Sequence, residues 1–271
     1  MPFSPRKPLA LLASLPLTLG LTACFGADVT INGEEGVPLS EIDQSAAAPV
    51  EVVLAGSDKV IISQGDAFAI TVEGSEDAKA ALRFVLDGDL LGISRDESLW
   101  DQSDQATIRV TLPAAPEELV ITGSGSIETQ SLAKTAQVSV LGSGEFTGGE
   151  ATLDALDVNL AGSGSAALGT LTASSLEISI GGSGSVTASG TAERLDINLG
   201  GSGGARLDQL KANDVEVAIA GSGSVNVQSD GAVEASIMGS GSVNVEGSAT
   251  CTESAMGSGS LNCPDGTKTS S

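Results

Sequence analysis

The feature that most constrains this chain is a recurring corner. Gly-Ser-Gly begins at Gly123, Gly142, Gly162, Gly182, Gly201, Gly221, Gly239 and Gly257, a return every 18 to 20 residues. A flexible linker would be glycine and serine throughout; here the glycines punctuate aliphatic residues in strict alternation. Two, four and six residues before successive motifs stand Leu160, Val158 and Leu156, then Ile180, Ile178 and Leu176, then Leu199, Ile197 and Leu195, then Ile219, Val217 and Val215. Period two means strand with these side chains on one face. Polar residues such as Asn159, Ser179 and Asn198 lie between them. A second short strand follows the motif (Val186, Val225, Val243), and a weaker third apolar position recurs at Leu132, Leu153, Leu171 and Leu210.

This pattern predicts an all-β protein: a parallel β-solenoid of about twenty residues per coil over residues 123–263. Equivalent strands stack about 4.8 Å apart, giving a rod roughly 34 Å long over seven intervals. No coil buries its apolar face alone, so the fold exists only as a stack. Glycine at the corner supplies the backbone freedom of a sharp turn. The serines between the glycines are expected to form a ladder along the rod. A phosphate-cradling loop is not expected, because no Lys-Ser/Thr follows and the motif repeats with the coil.

Residues 49–122 are strand-rich without the repeat. Candidate strands are Val50–Leu54, Val60–Ser63, Phe68–Val72, Leu82–Leu86, Leu90–Ser94, Thr107–Leu112 and Leu119–Thr122. This segment is expected to continue or cap the N-terminal end of the solenoid, since exposed end strands need protection. Trp100, the lone tryptophan, lies in an acidic loop over residues 95–105 and is expected to cover an edge. At the other end, Cys251 and Cys263 both fall at inward positions. In an oxidising compartment they suit a disulfide stapling the last coil; two buried free thiols are the other reading. Residues 264–271 are expected to be a disordered tail.

Residues 1–23 have the form of an export signal. Arg6 and Lys7 precede an apolar run, Leu9 to Leu19, too short to span a membrane. The run leads to Leu21-Thr22-Ala23-Cys24, which resembles the lipobox of bacterial lipoproteins. The resemblance implies that Cys24 becomes an acylated mature N-terminus. Residue 25 is Phe rather than Asp, which favours the outer membrane of a Gram-negative cell. Residues 24–48 are expected to be a flexible tether between lipid and fold.

Composition narrows the chemistry. Histidine is absent and aromatics make up 2% of the chain. The commonest general base and metal ligand is therefore missing, along with stacking platforms for sugars. The formal net charge of −23 repels nucleic acid and anionic lipid headgroups. Part of that charge is patterned. Five residues before successive motifs the outward residue is Asp157, Glu177, Asp196, Glu216 and Glu234. In a parallel stack these form a ladder of like charges, expected to raise carboxylate pKa values and to attract a weakly bound Ca²⁺. A solvated stripe that keeps rods apart is the simpler reading.

The run Val60-Ile61-Ile62 to Thr71-Val72, then Leu90-Leu91-Gly92-Ile93, Ile108-Arg109-Val110-Thr111-Leu112-Pro113 and Leu119-Val120-Ile121-Thr122-Gly123-Ser124-Gly125-Ser126, followed by the later coils, resembles a bacterial family described as a putative autotransporter adhesin, head GIN domain. The resemblance covers roughly residues 42–263. It implies the solenoid fold and a binding or adhesion role, and it brings no catalytic residues. No translocator barrel follows the solenoid, so a literal autotransporter is not expected. The resulting expectation is a non-enzymatic, lipid-anchored envelope protein contacting a protein or glycan partner. A polysaccharide-active β-helix enzyme and an envelope assembly or sensing factor are the alternatives.

Overall fold

The computed structural model describes residues 30–96, 104–263 and 266–270. Cys24 and Trp100 lie outside the described residues. The architecture is all-β: a β-solenoid of about 20-residue coils, preceded by a curled sheet of mixed direction. Before each corner, strands pair in parallel and in register from Glu118–Gly123 through Thr135–Gly142 and onward to Thr250–Gly257. After each corner a second sheet runs from Ser126–Thr129 to Ser260–Asn262. The predicted inward residues are buried: Leu195, Ile197 and Leu199 are 0–2% exposed, and Leu153, Leu171 and Leu210 line the third side.

The corners explain the motif. Gly162 has φ +125°, and a Cβ there would stand 2.3 Å from the carbonyl oxygen of Gly142 one coil away. The buried Gly164 would place a Cβ 2.6 Å from Gly144 O. Both glycines are therefore demanded, one by conformation and contact, the other by contact alone. Successive corners are joined through the backbone: the Ser163 N–H donates to Gly142 O at 2.8 Å, and the Ser183 N–H to Gly162 O at 2.8 Å. The serine side chains face solvent.

The N-terminal segment both continues and caps the rod. Glu51–Gly56 and Lys59–Gln64 form a rung paired in parallel with Glu118–Gly123 and Ser126–Thr129. Leu90–Arg95 and Thr107–Leu112 form the next rung outward. Beyond them Leu82–Asp87 and Ala69–Glu73 pair antiparallel and end the two sheets. A short helix, Glu76–Ala81, links these end strands; Ser75 Oγ accepts from the Ala78 N–H at 3.1 Å as its cap.

Two expectations are corrected. Residues 30–48, read as part of a tether, are built into the fold. Thr30–Ile31 pairs with Glu34–Glu35, Val37 bridges Phe84, and Gln44 Oε1 accepts from the Ile70 N–H. Its anchor is Ile31, 1% exposed, which packs with Val53, Ala55, Val85, Leu90 and Val120. The tail read as disordered contains a strand, Thr267–Ser270, which adds to Thr250–Glu253 and satisfies part of the last rung's open edge.

Candidate binding face

The sheet that precedes the corners turns three rows of side chains outward, at five, three and one residues before each motif. The first row is the acidic ladder. Strand register sets Asp157 beside Glu177, Glu177 beside Asp196, Asp196 beside Glu216 and Glu216 beside Glu234. The row continues past Gln137 to Glu118 and Glu51, an extension hidden in the sequence because Glu51 returns beside Glu118 only after a long excursion. Burial pushes the Asp157 carboxyl up. Burial first, and then repulsion from Asp157 and Asp196, pushes Glu177 up. Glu118 is raised by burial and by Glu51. Desolvation on the sheet thus outweighs the like-charge repulsion expected from the sequence. Among the described residues no three of His, Cys, Asp or Glu group closely enough to hold a metal ion. The ladder presents carboxylates singly, one per rung.

The second row is mostly small and polar, including Ser139, Asn159, Ser179, Asn198 and Ser236. The third row runs Leu141, Ala161, Gly181, Gly200, Ala220, Met238 and Met256. From Asn159 and Ala161 onward to Ser254 and Met256, these two rows line a trough of about 580 Å³ beside the acidic ladder. Leu141, Met238 and Met256 are the exposed large hydrophobic residues among those described, at 40%, 55% and 67%, and all three belong to this row. The motif spacing alone does not reveal the trough. Its signal was the doubled glycine at 181–182 and 200–201, where only the second glycine belongs to the corner.

At the far end Cys251 and Cys263 form a disulfide with Cα atoms 6.7 Å apart. It lies in the core and touches neither the ladder nor the trough. No described helix is long and apolar enough to cross a membrane.

A rod of parallel coils stacked in constant register, with a repeated outer face, defines a β-solenoid. The chain belongs to the family described as "Putative auto-transporter adhesin, head GIN domain", whose model matches residues 48–249. Three solved structures share the fold. A putative lipid binding protein from Parabacteroides distasonis is 25% identical, with a TM-score of 0.72, covering 82% of this chain and 93% of its own. A putative adhesin from Parabacteroides merdae is 16% identical, with a TM-score of 0.73, covering 80% and 92%. A putative adhesin from Parabacteroides distasonis is 17% identical, with a TM-score of 0.69, covering 80% and 93%. No curated protein matches the chain significantly.

Proposed function

We propose that this chain is a non-enzymatic, lipid-anchored protein of the cell envelope that binds a partner through the outer face of its long sheet. The observation that carries this reading is the three-row pattern: carboxylates, small polar groups and an apolar trough repeat in register along the rod. Selection for a stable coil alone asks only that outward residues be soluble. It does not call for exposed methionines beside a carboxylate row. The descriptions of the family and of two relatives as adhesins, and of one relative as a lipid-binding protein, support binding as the class of activity. The lipobox ending at Cys24 supports export and acylation, and Phe25 supports the outer membrane.

Two measurements on protein isolated from its own envelope test this reading. Mass spectrometry should find diacylglycerol in thioether linkage on Cys24, and Cys24→Ser should leave the membrane fraction. Incubation with acidic and neutral polysaccharides should release no shortened products. An unmodified N-terminus at another residue would refute the anchor, and catalytic release of oligosaccharides would refute the non-enzymatic assignment.

A further inference from the structure

Gly181 and Gly200 differ from the corner glycines. Both sit inside a strand with extended backbone, and neither has positive φ. A Cβ on either would meet nothing nearer than a carbonyl oxygen, Leu160 O at 3.8 Å for Gly181 and Ile180 O at 3.9 Å for Gly200. Nothing in the rod demands glycine there. A strand-interior glycine weakens its strand and commonly marks a place where another backbone or a ligand approaches closely.

The same sheet face shows such an approach within the molecule. Register places Gly92 beside Val53, and Val53 beside Val120, in the second outward row. There the Thr30–Ile31 strand crosses the face, and a Cβ on Gly92 would stand 2.7 Å from Ile31 Cδ1. An aliphatic side chain from a crossing segment thus fills the space that glycine leaves. Further along the rod, Gly181 and Gly200 leave the same kind of space, which no described segment covers. Met238 and Met256 stand exposed at one end and Leu141 at the other.

We infer that the trough docks a polypeptide segment that sets aliphatic side chains over Gly181 and Gly200 and basic side chains along the Asp157–Glu234 ladder. This deepens the reading of the chain as a binding module and rests on it. Charge selects the occupant. A second copy of this chain carries the same net charge of −23 and would meet its own like. Anionic lipid headgroups are repelled for the same reason. A basic segment relieves the crowding of carboxylates on the ladder and gains the apolar floor beside it. The neighbouring Arg194 leaves the charge of the row strongly negative, since five carboxylates lie along it.

The test uses the full mature chain and three synthetic fourteen-residue peptides: one amphipathic with lysine and leucine, one with glutamate in place of lysine, and one with serine in place of leucine. The lysine–leucine peptide should bind, and the glutamate peptide should not. The lysine–serine peptide should bind at least about tenfold more weakly, for want of the buried leucine. Gly181→Val with Gly200→Val fills the trough with β-favouring side chains and leaves the charge unchanged. It should weaken the lysine–leucine peptide about tenfold or more and leave the lysine–serine peptide as it was. Glu177→Gln with Glu216→Gln should weaken both peptides and flatten the salt dependence. Thermal melts establish that each variant is folded; Met238→Ser with Met256→Ser tests the same trough by removing its walls. If the trough-filling and methionine variants both bind the lysine–leucine peptide like the parent, the attraction is general charge and the docking site is wrong. Binding of neutral or anionic lipid vesicles that the trough-filling variant abolishes would overturn it in favour of a lipid. Capture of an envelope partner on the outer sheet face that persists with the trough filled would sink this inference and leave the binding role standing; capture through another face, or absence of any partner, would sink both.

Discussion

Arg95 and Asp58 form a buried ion pair at the corner where the N-terminal cap meets the first coil. Arg95 Nε donates to Asp58 Oδ2 at 2.7 Å, and Nη2 donates to Oδ1 at 2.5 Å; the side chains are 2% and 1% exposed. Asp58 also accepts from the Ala106 N–H at 2.8 Å, and Arg95 donates to Asp104 O at 2.7 Å. In the neighbouring rung Gly56-Ser57-Asp58 occupies the place of Gly-Ser-Gly. The carboxylate thus holds together two rungs that lie 37 residues apart in the chain. Removing one partner leaves a buried charge without compensation, at a cost of about 3–5 kcal/mol. Asp58→Ala should therefore lower the urea midpoint substantially, and Asp58→Ala with Arg95→Met should recover part of the loss. An Asp58→Ala chain as stable as the parent would show that the pair does not hold the cap.

The solenoid register is tested at two adjacent residues. Ile197 is 1% exposed, while its neighbour Asn198 faces solvent. Ile197→Asp buries a charge with no partner and should cost several kcal/mol, about 3 or more; Asn198→Asp should cost about 0.5 kcal/mol or less. Equal losses in a denaturant titration would refute the inward and outward assignment.

The last coil is stapled by Cys251–Cys263, which closes a loop over a sequence separation of 12. Peptide mapping without reductant should recover the two cysteines joined. Cys263→Ser should lower stability by about 2–4 kcal/mol, an effect that reductant reproduces in the parent. Free thiols in protein freshly prepared without reductant would contradict the staple.

Acid should stabilise this protein before it destabilises it. Glu51, Glu118, Asp157 and Glu177 all have raised pKa values in the fold, with burial the largest cause at each. In the window above their usual values of about 3.9–4.3 the native state holds more protons than the unfolded chain. Stability must then fall as pH rises through that window and grow as pH drops from neutrality into it. Asp230 opposes this lower down. Hydrogen bonds from Lys211 and Ser248 hold it at about 2, so its contribution is lost only as pH falls below the ordinary carboxylate range. The melting temperature at pH 5 should exceed that at pH 7.5, and Glu177→Gln should reduce the difference. A melting temperature that declines steadily from pH 7.5 to pH 5 would contradict the raised carboxylates.

The coils were legible because each one states its own rule. Gly182-Ser183-Gly184 fixes a corner, and Leu176, Ile178 and Ile180 fix the buried face, with partners one coil away in a constant register. The N-terminal rungs obey the same geometry but conceal it. Val52–Gly56 finds its partner Leu119–Gly123 more than sixty residues later, after a cap that the period does not describe. The ordering of residues 30–48 was invisible for a similar reason. Ile31 is one apolar residue in a polar stretch, and its burial depends on residues distant in sequence, Val53, Val85, Leu90 and Val120 around it and the Gly92 that makes room for it. The acidic ladder could be counted from the motif spacing. The trough beside it could not, because a residue's outward neighbours come from other coils and glycine was already explained by the corners.

The outer face of the long sheet is the proposed working surface. A photoreactive residue in place of Ser236, in the trough, tests this most directly when compared in living cells with one in place of Thr172, exposed on the third side. Crosslinks to a discrete partner should form from position 236, be lost on adding Gly181→Val with Gly200→Val, and be absent from position 172. Crosslinks from 172 alone, or crosslinks from 236 that persist with the trough filled, would contradict the account.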